Sequence, residues 1–499
     1  MPLISKTIFI DSRNCAKNTW LKLHKPELLE NFELSEFEKQ LIEQGNEVEL
    51  CARGLFPDGV EVVSKGESAC LETKKLMESK TSAIFQATFI IDGFIARNDV
   101  LVYDSKKESW DLYEIKGTNS LKEGSDERSH VEDLTFQAVV LKRAGVNLGR
   151  SFLVHLNKEY VRTSDLDVSQ LFTIEDLTET VNQRFDEMSV LMEGSREFLN
   201  QETEPASGCD CHYLGRSRHC ATFQYSHPEV PKYSVHDLSR IGSSKKKMEF
   251  FVDNSIYSLD DIPTDYELSP IQTNQLQAHQ TKTSTIDLNE IRNQLSGLEF
   301  PLYFLDYETY APAIPQFVNY SPYKRIPFQF SLHILREPNG EVEHVDFLHP
   351  ERTDPSELVA QLLTEHIQPK GTVISWNKSF EKGVNSDIAE RLPEHREAME
   401  RINNQMYDLK DIFSKQYYVH PDFQGSASIK KVLPALIPDL NYSDLVIHEG
   451  GQASEQWWFM VAPDTSKEEL EDISKNLKIY CGLDTYAMYA IWKHLYEKI

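Results

Sequence analysis

Two carboxylates, Asp306 and Glu308, stand two residues apart at the end of an apolar, aromatic run, PLYFLDYETY, from Pro301 to Tyr310. In a β-strand, residues i and i+2 face the same side, so both acids would project into one site. Like charges that close are costly to hold unless a cation lies between them, and a divalent metal is the natural partner. A strand end with two solvated acids is the simpler alternative for this pair taken alone. Downstream, YCGLDTYAMYAIWKHL has apolar residues at helical spacing. It puts Tyr480 four positions before Asp484, so a phenol and a carboxylate share one helix face. Between them, GTVISWNKSFEKG reads as a strand, Thr372 to Trp376, that turns into a helix after Asn377. Glu381 is then carried near the helix start, facing back toward the strand ends.

A second constellation lies in GFIARNDVLVYDSKKESWDLYEIKGTN. Two β-like runs, Asn98 to Tyr103 and Trp110 to Ile115, flank the polar turn DSKKES and read as a hairpin. Glu114 and Lys116 again share a face, and Asp99 begins the partner strand. Two carboxylates can hold a metal, and the ammonium can stabilise charge developing on phosphate or orient a water. An ordinary hairpin with a surface ion pair is the simpler alternative.

Asp306-x-Glu308, then Asn377-x-x-Phe380-Glu381, then Tyr480-x-x-x-Asp484 resemble the motifs of the DEDDy branch of the RNase H-like 3′-to-5′ exonucleases. The resemblance implies in-line phosphodiester hydrolysis with two Mg2+ or Mn2+ ions about 3.5–4 Å apart. Asp306 would bridge both ions, with Glu308 and Asp484 completing the shells and Glu381 in direct or water-mediated contact. Tyr480, neutral with a pKa near about 10, would position the attacking water. The sequence departs from the family at Glu381, where aspartate is usual. Asp408, in MYDLKDIF, is either a compensating carboxylate or a helical surface acid.

Asp99, Glu114 and Lys116 look like the PD-(D/E)xK core of RecB-like nucleases. Gln137, in HVEDLTFQAVVLKRAGV, falls at the helical glutamine position of that family. The resemblance implies one or two Mg2+ or Mn2+ ions at Asp99 and Glu114, with Lys116 and Gln137 completing the catalytic set. Gln86, in IFQATF, stands where an acidic residue is expected.

Seven cysteines and no apolar signal run point to a reducing cytoplasm rather than a disulfide framework. Cys209, Cys211 and Cys220 cluster in GCDCHYLGRSRHC, while Cys15 lies far upstream. One N-terminal cysteine plus three after the nuclease core resembles the iron-sulfur RecB-like nucleases. That resemblance implies a structural [4Fe-4S] cluster stapling the N-terminal helix to the end of the domain. A zinc ion held by the three clustered cysteines with His212 or His219 is the rival, and would leave Cys15 idle.

These sites need supporting elements, and 499 residues exceed a single core. The expected fold class is α/β, an α+β multidomain chain. It would comprise a RecB-like restriction-endonuclease-like nuclease domain with the cysteine cluster at 1–224, a helical connector at 225–297, and an RNase H-like DEDDy domain at 298–499. The connector reads as two short helices around a basic turn, in the manner of helix-hairpin-helix modules or as a plain surface charge run. The motif order resembles an uncharacterised bacterial family of predicted RecB-like nucleases with such a C-terminal extension.

A hydrophobic content of 40% and charged content of 26% suit a soluble cytoplasmic protein, and no run approaches the roughly 18 apolar residues of a membrane span. The net charge of −27 disfavours strong nonspecific DNA binding, which needs local Lys and Arg. Local basic groups are Arg97, Lys106, Lys107 and Lys122 near the first site, Lys245, Lys246 and Lys247 in the connector, and Lys430 and Lys431 near the second. The expected partners are nucleic acid, DNA foremost, bound in a salt-sensitive way, and proteins of a repair or defence complex. The alternative is a nucleic-acid-binding or scaffold protein with one or both sites degenerate, invited by Gln86 and Glu381.

Overall fold

The structure is a computed structural model that describes residues 2–29, 34, 36–121 and 130–499; Lys122 lies outside the described residues. The fold is mixed α/β, in two compact units. One comprises Met1–His212, Arg218–Pro228 and Pro312–Tyr323; the other comprises Tyr213–Ser217, Glu229–Ala311 and Lys324–Ile499.

The first unit is built on a seven-stranded sheet of β1 (Ile4–Ser5), β2 (Gly59–Glu61), β3 (Ala83–Ile91), β4 (Phe94–Asp104), β5 (Ser109–Lys116), β6 (Leu148–Leu156) and β7 (Phe172–Asp176). The order is β2-β3-β4-β5-β6-β7, and β1 pairs with the start of β4. The expected hairpin is the antiparallel pair β4–β5; β5 and β6 are parallel and joined through the His130–Arg143 helix. Along β4, buried Phe94, Ala96, Asn98 and Val100 alternate with more exposed residues, the period-2 pattern of a strand covered more on one face.

The His130–Arg143 helix is buried on both sides. Leu134, Ala138 and Leu141 pack with Ile84, Leu101, Leu112 and Leu153 of the sheet. Phe136, Val139 and Val140 pack with Phe9, Phe94, Met188 and Met192. An all-round apolar helix is what such a position selects, and a Leu→Ala change there would cost about 2–5 kcal/mol. Gln137 is therefore a polar side chain placed deliberately in a dry environment.

The second unit is built on a five-stranded sheet and a two-stranded ribbon. In chain order the strands are β8 (Thr285–Ile286), β9 (Leu302–Tyr310), β10 (Ile326–Leu335), β11 (Val342–Leu348), β12 (Thr372–Ser375), β13 (Met406–Asp408) and β14 (Tyr418–Val419). The five-stranded order is β11-β10-β9-β12-β13, and β8 pairs with β14. β9 is central, antiparallel to β10 and parallel to β12. Tyr303, Leu305 and Tyr307 pack against helices Ser356–His366, Lys378–Arg391 and Arg396–Asn404 through Val359, Leu363, Val384, Ile388 and Ile402. The opposite face, represented by Phe304, meets Tyr489 and Trp492 of the Lys467–Tyr496 helix. That helix begins at a capping box in which Ser466 and Glu469 satisfy each other's backbone amides.

From Glu229 onward the polar stretch read as a connector belongs to this second unit, while residues 225–228 belong to the first. Its basic run does not form a turn: Lys245, Lys246 and Lys247 open the Lys245–Asp253 helix. The reason is periodicity, since Met248, Phe251 and Val252 supply a buried helical stripe that outweighs three lysines in the first turn. No helix among the described residues is long and apolar enough to cross a membrane.

Candidate metal and active sites

Asp306 and Glu308 leave β9 on the face opposite the core residues Tyr303, Leu305 and Tyr307, because neighbours along a strand alternate. They line a cavity of about 290 Å³ with Trp376, Asn377, Phe380, Glu381, Lys430, Tyr480 and Asp484. The three sequence segments thus converge. Asn377 sits at the N-cap position of the Lys378–Arg391 helix, whose first turn carries Glu381, and the Lys467–Tyr496 helix delivers Tyr480 and Asp484 from the other side. The cavity sits where the chain leaves β9 and β12, the parallel pair at which strand order reverses; open α/β sheets bind ligands at such a switch point.

Four carboxylates share this cavity with one lysine, the exposed Lys430. Burial pushes Asp306 well above the ordinary range, and repulsion from Asp484, Glu308 and Glu381 adds to it. Burial, then Asp484, does the same to Glu308. Burial lifts Asp484 to about 6 and Glu381 to about 8. Glu381 Oε2 is buried without a hydrogen-bond partner. An orphaned carboxylate oxygen and a surplus of buried negative charge are what a bound cation would relieve, so the residues fit a divalent metal.

Tyr480 is a buried phenol pushed far up by burial and by Asp484, hence neutral. Asp408 is not part of the cavity lining. It accepts the backbone amides of Lys378 (3.1 Å) and Lys410 (3.2 Å), so it caps the Glu381 helix rather than facing the cavity. Two residues escaped the sequence. Tyr442 donates its hydroxyl to Asp484 Oδ1 at 2.6 Å, and Cys481 lies with its Sγ 3.9 Å from Asp306 Oδ2. Tyr442 carries no motif signal; Cys481, next to Tyr480, was readable as a neighbour on the same helix.

In the first unit Asp99, Glu114, Lys116 and Gln137 also meet, but there Glu114 is paired with lysines of its own chain. Glu114 is buried and its Oε1 accepts from Lys116 Nζ at 2.9 Å and from Lys6 Nζ, while Oε2 accepts from Gln137 Nε2. Lys116 also pairs with Asp133. Burial alone would raise Glu114, but the two ammonium groups overcome it and hold its carboxyl below the usual range. Asp99 accepts the Ile115 amide at 2.8 Å, yet burial and Glu114 still push it well up. Lys6, the first residue of the Lys6–Asn14 helix, was not anticipated.

Gln86 occupies left-handed backbone space (φ 56°) in mid-strand. The β3–β4 ladder passes from Phe85↔Val100 to Ala87↔Asn98, omitting the Gln86–Asp99 pair. Such strain costs on the order of 1–3 kcal/mol for a non-glycine residue. Its amide donates to Glu49 Oε1, and Glu49, on the Glu36–Ala52 helix, adds to the field at Asp99. An acid from another element thus lies beside the position where the sequence lacks one. Arg97 donates to the Val62 carbonyl, and Lys106 and Lys107 sit at the hairpin turn. From Asp99 to Lys106 is seven residues at about 3.3 Å each along an extended strand, so these lysines do not reach the first site.

The four cysteines converge. Cys15, Cys209, Cys211 and Cys220 place their sulfurs within 4.8 Å of one another, and the group includes neither His212 nor His219. Cys15 ends the Lys6–Asn14 helix and caps the next, Ala16–His24, its Sγ accepting the Asn18 amide at 3.4 Å. His227 contacts Cys209 Sγ at 3.3 Å. Four convergent, mostly buried thiols make a group that could hold a metal ion.

Residues 303–428 match a family described as a domain of unknown function, DUF2779. The match takes in Asp306, Glu308 and Glu381 and ends before Tyr480 and Asp484. An uncharacterised protein of Mycoplasma genitalium, MG366, is 27% identical over 221 residues, 41% of this chain and 33% of its own length. An uncharacterised protein of Ureaplasma parvum, UU173, is 26% identical over 208 residues, 38% of this chain and 30% of its own. The chain therefore spans about a third of these relatives' length. No solved structure matches the chain significantly.

Proposed function

We propose that the chain is a metal-dependent nuclease whose C-terminal site hydrolyses phosphodiester bonds from the 3′ end of nucleic acid, DNA foremost. The observation that carries this reading is the convergence of Asp306, Glu308, Glu381, Asp484 and Tyr480 on one cavity holding a single lysine. The central position of β9, with its acids at a strand end beside a parallel neighbour, supports the RNase H-like fold.

Asp306, Glu308 and Asp484 would hold Mg2+ or Mn2+, with Glu381 in direct or water-mediated contact. The bound metal supplies Lewis-acid stabilisation of phosphate and a more acidic water. Tyr480 hydrogen-bonds and orients that water as a neutral phenol. Tyr442 fixes Asp484 through its short hydrogen bond, and Lys430, over the rings of Tyr442 and Tyr480 at 5.8 and 5.9 Å, offers the phosphate a positive contact.

The order of helix Gly66–Glu78, strands β3–β5, helix His130–Arg143 and parallel β6 supports the RecB-like reading of the first unit. There Asp99, Glu114, Lys116 and Gln137 would form a second nuclease site, with Glu49 as a further acid. Among the described residues no group of three metal donors forms around Asp99 and Glu114, and no step is derived through a metal there. The cysteine group would hold a metal centre, by the sequence resemblance a [4Fe-4S] cluster, fastening the Lys6–Asn14 helix to the end of the unit; each sulfur of such a cubane binds a different iron, so its four thiolates stand farther apart than the 4.8 Å spread observed and the side chains would have to open to admit it. A single zinc ion is the second reading: Zn–S bonds of about 2.3 Å give S···S near about 3.8 Å, within the 4.8 Å spread observed. Iron and sulfide analysis of an anaerobic preparation separates the two.

The test is cleavage of 5′- and 3′-end-labelled single- and double-stranded DNA and RNA with Mg2+ or Mn2+ by wild type, Asp306→Ala and Lys116→Ala. Loss of stepwise 3′ shortening in Asp306→Ala is the expected result. No cleavage by wild type on any substrate with either metal overturns the reading and leaves a binding or scaffold protein.

A further inference from the structure

Cys481 is fully buried, one residue beyond Tyr480 on the helix that closes the C-terminal cavity, and the mechanism above gives it no task. A donor atom from each of Asp306, Glu308 and Cys481 lies within 4.8 Å of the other two. The Cys481 Sγ to Asp306 Oδ2 separation of 3.9 Å is close to the S···O edge of a tetrahedron, about 3.6 Å for metal bonds of roughly 2.3 and 2.1 Å. A cysteine beside acids is not in itself a site. Here an independent group points at a cation: Glu381, 3% exposed and lining the same cavity, keeps Oε2 buried with no partner.

We propose that Asp306, Glu308 and Cys481 form a mixed oxygen–sulfur site for one thiophilic divalent ion of the zinc class. Carboxylates alone suit Mg2+ or Mn2+, whereas a thiolate donor shifts selectivity toward Zn2+ and its soft congener Cd2+. Two carboxylates and a thiolate give three negative donors around a doubly charged ion, and the thiol proton leaves to solvent on binding. Such an ion occupies Asp306 and Glu308, so it competes with the hard ion that hydrolysis would use. The inference deepens the nuclease reading and rests on it for the competition, while the site itself is testable by binding alone.

The experiment titrates Cd2+ into the full chain, with Cys15, Cys209, Cys211 and Cys220 intact, following bound cadmium after dialysis and the near-ultraviolet thiolate-to-cadmium charge-transfer band. Wild type is expected to show an increment of thiolate-to-cadmium band over Cys481→Ser and to hold that cadmium at least about tenfold more tightly. Asp306→Asn is expected to weaken that same increment at least about tenfold, one pK unit of binding. Unchanged far-ultraviolet circular dichroism and melting temperature without metal establish that each variant is folded; Cys481→Ala replaces a serine variant that is not. Equal cadmium affinity and band intensity in wild type and the folded Cys481 variant overturn the proposal. If the cadmium increment is present but wild type cleaves no substrate with Mg2+ or Mn2+, the metal site stands and the nuclease reading falls.

Discussion

The two acidic sites use similar residue types and differ in who neutralises them. In the first unit, Glu114 is met by two lysines from its own chain and by Gln137. In the second, Asp306, Glu308, Glu381 and Asp484 share one exposed lysine; burial pushes all four upward, and neighbouring acids add to it at Asp306, Glu308 and Glu381. Removing carboxylates from water is costly, and the first site offsets this with covalently supplied cations. In the second, burial favours the protonated acids, and a cation from solution could take the place of those protons. A buried carboxylate met by two lysines of its own chain, as Glu114 is, is satisfied without a metal, whereas Asp306 and Glu308 share the exposed Lys430 with two further acids and leave room for one.

The strongest way to break this contrast is to remove one charged residue from each site. Asp306→Ala should lower 3′-end shortening by at least about 10²-fold, the scale of losing one preorganised electrostatic contact, while Lys116→Ala leaves that product ladder intact. A ladder unaffected by Asp306→Ala would place the chemistry elsewhere.

The next effect is thermal. At 100 Kd of Mn2+, ligand linkage stabilises by about 2.7 kcal/mol. Protons compete for the same oxygens, so the melting-temperature rise should grow from pH 6 to pH 8 as Asp484, near 6, and Glu381, near 8, ionise. A rise that shrinks over this range would contradict the placement of the ion.

Without metal the sign reverses. The folded-state pKa of Glu381 is raised from 4.5 to about 8, so its contribution is fully present below pH 4.5 and is lost as pH rises through 8. Glu381→Gln should therefore be more stable than wild type at pH 9 in chelator, on the order of 2 kcal/mol by urea unfolding, and nearly equal at pH 5. Equal stability at pH 9 would show that Glu381 is solvated. In the first unit, Lys6→Ala should destabilise by about 1–2 kcal/mol, less than the 3–5 of a broken isolated pair because Lys116 remains. A double-mutant cycle with Glu114→Gln measures the coupling, and a coupling near zero would remove Lys6 from the balance.

The elements that hold these sites were largely legible. Strand β9, the β4–β5 hairpin and the last helix follow from local period, and each carries its site residues at a fixed spacing on one face. Cys15 was paired with its distant partners through a family resemblance, not through spacing. What stayed hidden depends on contacts between remote segments. Lys6 reaches Glu114 across 108 positions, and Tyr442 reaches Asp484 across 42, with no local pattern to announce either. Glu49 accepts from Gln86 across 37 positions, and Asp408 is drawn to helix amides instead of the cavity. The basic run at Lys245 misled because local charge suggested a turn while the apolar stripe behind it specified a helix.

The most direct test of the contrast is Mn2+ binding to the metal-stripped full chain, measured by calorimetry in wild type, Asp306→Asn and Glu114→Gln. The arrangement of charges predicts that Asp306→Asn removes the tightest binding event while Glu114→Gln leaves it in place. Loss of that event in Glu114→Gln, with Asp306→Asn unchanged, would put the cation demand in the first unit and contradict the central claim.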